Sequence, residues 1–238
     1  MTPWANLGER ARRDGASPLV TYVDLASGAR AELSAASLAN AVAKTAGLLR
    51  DELDIEPGAR IGIDLPLHWQ WAVWLGAASA VGAILVPQGL TAGTDLMVTA
   101  FGAPPAKGAD MVADTVVVSL HPLGLPEGAV PSGYVDHAMA ARAHPDVFAP
   151  VEPPSEGAPL LELDGRSLTA AEAEREASGA LDARGIPPGG RLLLRDDRDM
   201  ALAPLALLLA LPGSAVLVRH AVCGDLARVA GEERVSGE

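Results

Sequence analysis

The sequence predicts an α/β protein of two related α/β subdomains, residues 1–150 and 151–238, with mostly parallel sheets covered by helices. Apolar segments with strand periodicity alternate with segments of helical periodicity, which is the pattern of parallel α/β folds. Two segments, ELDIEPGARIGIDLP at 52–66 and ARGIPPGGRLLLRDD at 183–197, repeat a helix exit, a Pro-Gly turn and an apolar strand. The chain has 238 residues, 49% of them apolar, which is enough for a substantial buried core.

Composition narrows the classes of partner. Thirty acidic residues against 18 basic residues give a formal net charge of -12, which repels nucleic-acid phosphates and anionic lipid headgroups. We therefore expect neither a nucleic-acid partner nor a membrane partner. The N-terminal segment MTPWANLGERARRDG lacks the apolar core of a secretory signal, so we expect a cytoplasmic protein. The single cysteine, Cys223, cannot form an internal disulfide, and we interpret it as structurally incidental.

One charge-free segment, residues 200–218, approaches the length of a membrane span. Pro204, Pro212 and Gly213 interrupt it, and such residues favour turns. We therefore interpret the segment as a buried helix, a turn and a short strand.

The first unit begins with a predicted β-hairpin, PLVTYVD and ARAELS, joined by LASG. Ser34 is the expected N-cap of the next helix, because its hydroxyl can accept a hydrogen bond from a free backbone N–H. Apolar residues recur at helical spacing from Leu38 to Leu49, and Pro57 with Gly58 is expected to end that helix. The unit is completed by a strand RIGIDL, a helix HWQWAVWLGAASA closed by Gly82, and a strand AILVP.

The second unit repeats this order at a constant offset. Five positions match without a gap: Ile55 with Ile186, Pro57 with Pro188, Gly58 with Gly189, Arg60 with Arg191 and Gly82 with Gly213. Upstream, APLLELDGRSLT predicts a hairpin around an Asp-Gly turn, and Thr169 with Glu172 has the spacing of a capping box. Between the units, DLMVTA and DTVVVSL are two further predicted strands, and the Pro- and Gly-rich segments after them are interpreted as loop and linker.

Residues 18–87 contain a Pro-Gly-x-Arg turn in ELDIEPGARIGI and end with the Gly-Ala-x-x-Val-Pro of VGAILVP. This stretch resembles the opening segment of the acyl-adenylate-forming enzymes, the AMP-binding superfamily of acyl-CoA synthetases, luciferases and peptide-synthetase adenylation domains. The segments SLHPLG and HPDVFAP are more similar to a small family of stand-alone proteins that resemble the front part of AMP-binding enzymes. The resemblance implies the fold of the N-terminal domain of those enzymes, and it implies no activity.

In the enzymes of this superfamily, a T-S-G-T-T-G-x-P-K-G loop lies between the two units, and its backbone N–H groups and lysine hold the ATP phosphates. The matching segment here, APLLELDGRSLT, is several residues shorter and has a plain Asp-Gly turn. The resemblance therefore implies that Glu162 and Asp164 would face the phosphates with only Arg166 to offset them. The two lysines, Lys44 and Lys107, do not match the positions that the superfamily needs.

The later adenylation motifs of the superfamily, including a C-terminal domain with a catalytic lysine, would lie beyond residue 238. We therefore predict no catalytic residue, no cofactor-binding residue and no metal ligand in this chain.

An acidic cluster follows one predicted strand of the second unit. Asp196, Asp197 and Asp199 could together bind a hard cation such as magnesium. Arg195 and Arg198 lie among them in the sequence, which favours a solvated cluster of neutralised charges.

The tryptophans and histidines also have two interpretations. Trp69, Trp71 and Trp74 lie close together, and the last two share a helical face that could line an acyl or aromatic pocket, although we favour packing in the core. His121 and His144 each precede a proline and are interpreted as turn residues.

The leading functional hypothesis is a protein like an AMP-binding enzyme that lacks its own adenylation activity and binds a protein partner or a small acyl compound. The first alternative is an acyl-CoA synthetase component that is completed by another chain. The second is a purely structural homo-oligomer that uses the Trp-rich helix or another apolar patch as its contact. A homodimer is compatible with all three hypotheses.

Overall fold

The computed structural model describes residues 1–87, 93–103, 112, 114–222 and 224–236, so Cys223 and Lys107 lie outside the described residues. The helices are α1 (Pro3–Asp14), α2 (Ala35–Asp51), α3 (Gln70–Val81), α4 (His137–Ala140), α5 (Ala170–Ala183), α6 (Ala206–Ala210) and α7 (Asp225–Glu232), with 3₁₀ helices at Ala141–Ala143 and Met200–Leu205. The strands are β1 (Pro18–Asp24), β2 (Ala29–Ser34), β3 (Arg60–Asp64), β4 (Ile84–Pro87), β5 (Leu96–Ala100), β6 (Asp114–Val118), β7 (Val135–Asp136), β8 (Pro159–Leu163), β9 (Arg166–Thr169), β10 (Arg191–Arg195) and β11 (Ser214–Arg219).

The described strands form two sheets. The four-stranded sheet has the order β10-β11-β1-β2, and the seven-stranded sheet has the order β7-β6-β5-β3-β4-β8-β9. All neighbours are parallel except the two hairpins, β1 with β2 and β8 with β9. The predicted α/β class with mostly parallel sheets is therefore confirmed.

The two hairpins are exchanged between the sheets. Hairpin β1–β2 lies beside β11 in the four-stranded sheet, whereas hairpin β8–β9 lies beside β4 in the seven-stranded sheet. Both sheets therefore contain strands from each side of the boundary that the sequence predicted at residue 150.

One large hydrophobic core joins both sheets to the helices. It contains Tyr22 from the four-stranded sheet, Ile61 from the seven-stranded sheet and every apolar residue of α3. Helix α3 packs against α1, α2 and α6, and all of its residues are buried. The Trp-rich helix is therefore unavailable as a subunit contact, which removes the surface that the oligomer hypothesis named first.

Local signals explain most element boundaries. The Ser34 hydroxyl accepts a hydrogen bond from the Ser37 N–H at 3.2 Å, as its predicted N-cap role requires. Thr169 and Glu172 form the predicted capping box at the start of α5. Gly82 ends α3 in the left-handed conformation with φ 76°, which a glycine adopts without strain.

Two local expectations were incomplete. Helix α1 was not predicted, although Thr2 caps it by accepting the Ala5 N–H and Pro3 occupies its first turn. Helix α2 ends at Asp51 rather than at the Pro57-Gly58 turn. The Leu53 N–H bonds to the Leu48 carbonyl five positions back, and Asp54 adopts a left-handed φ of 48°, so the helical pattern stops there. The segment between is an irregular turn.

The second unit differs in detail from the first. Residues 200–210 form a 3₁₀ helix followed by the short helix α6, where the first unit has the continuous helix α3. Arg60 pairs with Ile84 in β3 and β4, but Arg191 pairs with Ser214 in β10 and β11. At the offset of the repeat, the partner of Arg191 would be Ala215, so the pairing is shifted by a single position. The internal duplication stays a prediction.

The charge-free segment at residues 200–218 forms the 3₁₀ helix, α6, a turn and most of β11. Among the described residues, no helix has both the length and the apolar character needed to cross a membrane.

Candidate functional site

A cavity of about 1100 Å³ lies where the carboxyl ends of β3 and β4 meet the β8–β9 turn, α5 and the 3₁₀ helix Met200–Leu205. We call it the hairpin cavity. In open parallel sheets, ligands bind at the carboxyl ends of the strands because loops converge there. The hairpin cavity also contains the segment that the resemblance matches to the phosphate loop, which makes it the candidate site.

Apolar side chains form one wall of the hairpin cavity. Trp71 lies there with only 3% of its surface exposed, beside Ile63 and Leu205. Its indole N–H donates to the backbone carbonyls of Leu65 at 3.3 Å and Pro66 at 3.1 Å. These bonds fix the ring, so Trp71 is both a core residue and part of the cavity wall. The predicted packing of Trp71 in the core is confirmed, whereas an acyl or aromatic ligand in the cavity stays a prediction.

The turn between β8 and β9 has only two residues outside the strand pairing. Leu163 pairs with Arg166, and the intervening Asp164 and Gly165 have φ values of 50° and 73°. Two successive left-handed residues are typical of the tight turn that Asp-Gly sequences favour. The backbone therefore reverses at once and provides no glycine-rich loop.

Carboxylates are prominent around this turn. Asp64, Glu162, Asp164 and Glu176 all line the hairpin cavity, together with the basic residues Arg166 and Arg175. Within the described part of the chain, Asp64 and Asp164 form no ion pair.

The expectation that only Arg166 would offset Glu162 was wrong. The Glu162 carboxylate binds the Arg60 guanidinium through both oxygens, and one of these bonds, from Nη2 to Oε2, measures 3.0 Å. Arg166 instead donates to Glu176 at 3.0 Å. Arg60 and Glu162 are 102 positions apart, so only the pairing of β3, β4 and β8 brings them together.

The three aspartates after β10 do not converge. Asp197 binds the Arg195 guanidinium, with Nε and Oδ1 2.9 Å apart, while Asp199 forms an ion pair with Arg184. Asp196 accepts the backbone N–H of His220 at 2.9 Å. No group of three potential metal ligands occurs among residues that the structure describes. The interpretation as a solvated cluster neutralised by its own arginines therefore holds for Asp197, which pairs with Arg195. It was wrong for Asp199, which is only 3% exposed and pairs with Arg184 from outside the cluster.

Two histidines that the sequence analysis did not single out are buried in the core. Burial, with the charge of Arg219 acting in the same direction, lowers the pKa of His68 to about 3. Burial alone lowers the pKa of His137 to about 4. His121 and His144 lie in a turn and a bend as predicted, and Nδ1 of His121 accepts the Leu123 N–H at 3.1 Å.

The two buried histidines predict a pH-dependent stability. Because each folded-state pKa is below the ordinary value of 6.5, the unfolded chain takes up protons first as the pH falls. Each histidine should therefore remove about 2 kcal/mol from the free energy of unfolding between pH 7 and pH 5. Urea unfolding of His137→Gln should show about half of the wild-type loss, and the double variant His68→Gln with His137→Gln should show little of it. An equal loss in all three proteins would contradict this assignment.

Comparisons with known proteins agree with this geometry. No protein-family model matches the sequence. Acetoacetyl-CoA synthetase from Streptomyces lividans matches 99% of this chain with a TM-score of 0.75 and 18% identity. The N-terminal domain of FACL13 from Mycobacterium tuberculosis also matches 99% of it, with a TM-score of 0.70 and 18% identity. The chain spans 41% of the first structure and 61% of the second, and it has the fold of the N-terminal part of acyl-CoA synthetases.

A sequence relative is more specific. The TIGR03089 family protein of Mycobacterium tuberculosis (strain ATCC 25618 / H37Rv) is 36% identical over 193 residues. The match covers 76% of this chain and 73% of that protein. The sequence analysis predicted membership of a small stand-alone family that resembles the front part of AMP-binding enzymes. This prediction is confirmed, because the chain belongs to the TIGR03089 family.

Proposed function

We propose that this protein has the fold of the front part of an acyl-CoA synthetase but does not form acyl adenylates by itself. It acts instead as a module that binds a protein partner or a small acyl compound. The observation that carries this proposal is the two-residue Asp164-Gly165 turn, which stands where the superfamily has its phosphate loop.

A triphosphate needs several backbone N–H groups that converge on it, together with cations. The β8–β9 turn cannot supply converging N–H groups, because the strands pair again on both sides of it. The groups present do not fit ATP in charge either. Asp64 and Asp164 line the hairpin cavity without ion-pair partners in the described structure, and their negative charges would repel a phosphate bound there.

The alternative hypothesis, an enzyme component that is completed by another chain, requires more of that second chain than the missing C-terminal part. The partner chain would have to supply the phosphate-binding loop as well as the later motifs, because the β8–β9 segment is internal to this chain. The hairpin cavity, which opens at the carboxyl ends of β3 and β4, is the surface where such a chain would have to insert.

Isothermal titration calorimetry of the full chain with ATP and magnesium tests the binding half of this proposal. We expect no saturable heat below about 1 mM nucleotide, because the β8–β9 turn offers no converging N–H groups and the two arginines that line the cavity, Arg166 and Arg175, are each paired with a glutamate. An active acetoacetyl-CoA synthetase, titrated in parallel, is the positive control. The Asp164→Asn variant should behave like the wild type, since removing one charge does not create a phosphate loop. Micromolar binding of ATP to the wild-type chain would overturn the proposal.

A further inference from the structure

A separate cavity, of about 240 Å³, lies against strands β5 and β6 of the seven-stranded sheet. Residues of the two strands line it, together with the turn that follows β5 and the segment 129–134 that precedes β7. We call it the β5–β6 cavity. It shares no described lining residue with the hairpin cavity, so the two can bind different molecules.

The alternation of side chains along the strands places two threonines in this cavity. Leu96 and Val98 of β5 belong to the large core, and successive side chains of a strand point to opposite faces, so Thr99 points away from that core. The strand register sets Met97 beside Thr115, which puts the Thr115 side chain on the same face as that of Thr99. Two hydroxyl groups therefore meet one cavity on the side of the sheet opposite the core.

These two hydroxyls are reachable and unused. Thr99 is 6% exposed and Thr115 is 5% exposed, and both line the cavity. Within the described part of the chain neither hydroxyl forms a hydrogen bond, and neither oxygen is fully enclosed, so both keep surface that a molecule in the cavity can contact. Polar groups at such depth are nearly always hydrogen-bonded in folded proteins. Because a hydroxyl both donates and accepts, the pair suits a ligand that does both.

The lining of the β5–β6 cavity carries no charge among its described residues. The hairpin cavity, in contrast, is lined by four carboxylates and two arginines. Moving an ion out of water without a partner of opposite charge costs far more free energy than moving a neutral group that can form hydrogen bonds. The β5–β6 cavity therefore favours an uncharged ligand over an anion or a cation.

Aromatic surface completes the lining. The Phe101 N–H donates to the Val118 carbonyl at 2.8 Å, which holds this residue against the end of β6. Gly128 approaches the Phe101 ring so closely that a Cβ there would lie 2.9 Å from its Cζ atom. The rings of Phe101 and Tyr134 are half-buried and line the cavity, so their remaining surface can pack against a planar ligand. The volume is below the ~300–1,000 Å³ that is typical of sites for drug-sized molecules, so the ligand is small.

We propose that the β5–β6 cavity binds a small, uncharged aromatic carboxamide. The amide group donates to one of the hydroxyls of Thr99 and Thr115 and accepts from the other, and the ring lies against Phe101. This site is separate from the hairpin cavity, so it does not depend on whether the protein makes acyl adenylates.

Benzamide, benzoate and benzamidine test the proposal, because they have nearly the same shape and differ in charge. We expect an NMR titration of the ¹⁵N-labelled full chain with benzamide to shift amide signals of β5, β6 and segment 129–134, with a Kd at or below about 1 mM. Benzoate and benzamidine should shift the same signals with affinities at least about tenfold weaker, because the lining offers no opposite charge. Absence of saturable benzamide binding, or equal binding of either ion at these residues, would overturn the proposal.

Valine variants assign the role of the hydroxyls. The double variant Thr99→Val with Thr115→Val keeps nearly the same side-chain shape and should bind benzamide about tenfold more weakly. It should unfold at or above the wild-type temperature, because no hydrogen bond within the described structure is lost. Ser167→Ala, which removes an exposed hydroxyl on β9, is the matched control and should bind as the wild type does.

The single variants Thr99→Val and Thr115→Val keep the test decisive if the double variant does not fold. Each should weaken benzamide binding a few-fold, roughly threefold, at wild-type stability. Wild-type affinity for benzamide in both single variants would contradict the proposal. A large loss of stability in both would mean that the hydroxyls are bonded within the protein, and it would overturn the proposal as well.

Discussion

Replacing Trp74 by alanine is expected to lower the free energy of unfolding by about 4 kcal/mol. Trp74 is fully buried, at 0% exposed, in the helix that the core surrounds, and its ring lies 5.3 Å from the ring of His137. Removing the indole leaves a cavity that α1, α2 and α6 cannot close, since each is fixed by its own contacts with the core. Urea unfolding at pH 7 measures the loss.

The matched control is Trp74→Phe. The Trp74 Nε1 is buried without a hydrogen-bond partner in the described structure, so phenylalanine gives up volume but no hydrogen bond. We expect Trp74→Phe to lose less than half as much stability as Trp74→Ala. Wild-type stability in Trp74→Ala would show that this residue does not pack in the core.

Gly213→Ala is the second large effect, with an expected loss of about 3 kcal/mol or more. A Cβ at this position would lie 1.9 Å from the Gly190 carbonyl oxygen and 2.7 Å from the Gly189 carbonyl carbon. Both neighbours are backbone atoms, and the Gly190 carbonyl is held by the Ser214 N–H at 3.1 Å. Relief would therefore require β11 to separate from the turn that precedes β10.

Gly231→Ala is the matched control for this effect. Gly231 lies in α7, and a Cβ added there would meet no described atom within 4 Å, so alanine should raise stability by up to about 1 kcal/mol. Thermal unfolding of the two variants should move in opposite directions. A Gly213→Ala protein as stable as the wild type would mean that the close approach to Gly190 is absent in solution.

Gly82 and Gly213 also show what a sequence repeat can and cannot predict. The offset matches them as one position of a common unit, and both do follow a helix. Glycine is required at the two positions for different reasons. Gly82 adopts a left-handed backbone with φ 76°, whereas a side chain at Gly213 would clash with the backbone of Gly190. A pattern of identical residues predicts where a turn lies, but it does not predict which force requires the glycine.

The positions of strands and turns could be predicted from the sequence, because they depend on residues that are neighbours in the chain. Hairpin β8–β9, for example, follows from alternation and an Asp-Gly turn. The exchange of hairpins between the two sheets could not be predicted, because it depends on pairing between distant strands that no local pattern encodes. The ion pair of Arg60 with Glu162 depends on that same pairing, because Glu162 lies on hairpin β8–β9. Helix α1 was missed although Thr2 and Pro3 offered a local signal.

The central claim is that the Asp164-Gly165 turn leaves this chain unable to form an acyl adenylate by itself. Acid-dependent exchange of radiolabelled pyrophosphate into ATP, measured on the full chain across fatty and aromatic acids, tests that claim most directly. We predict exchange at the level of a protein-free control for every acid, because nothing in the turn holds a triphosphate for attack. Exchange above that level, dependent on the acid and retained after repurification, would contradict the account.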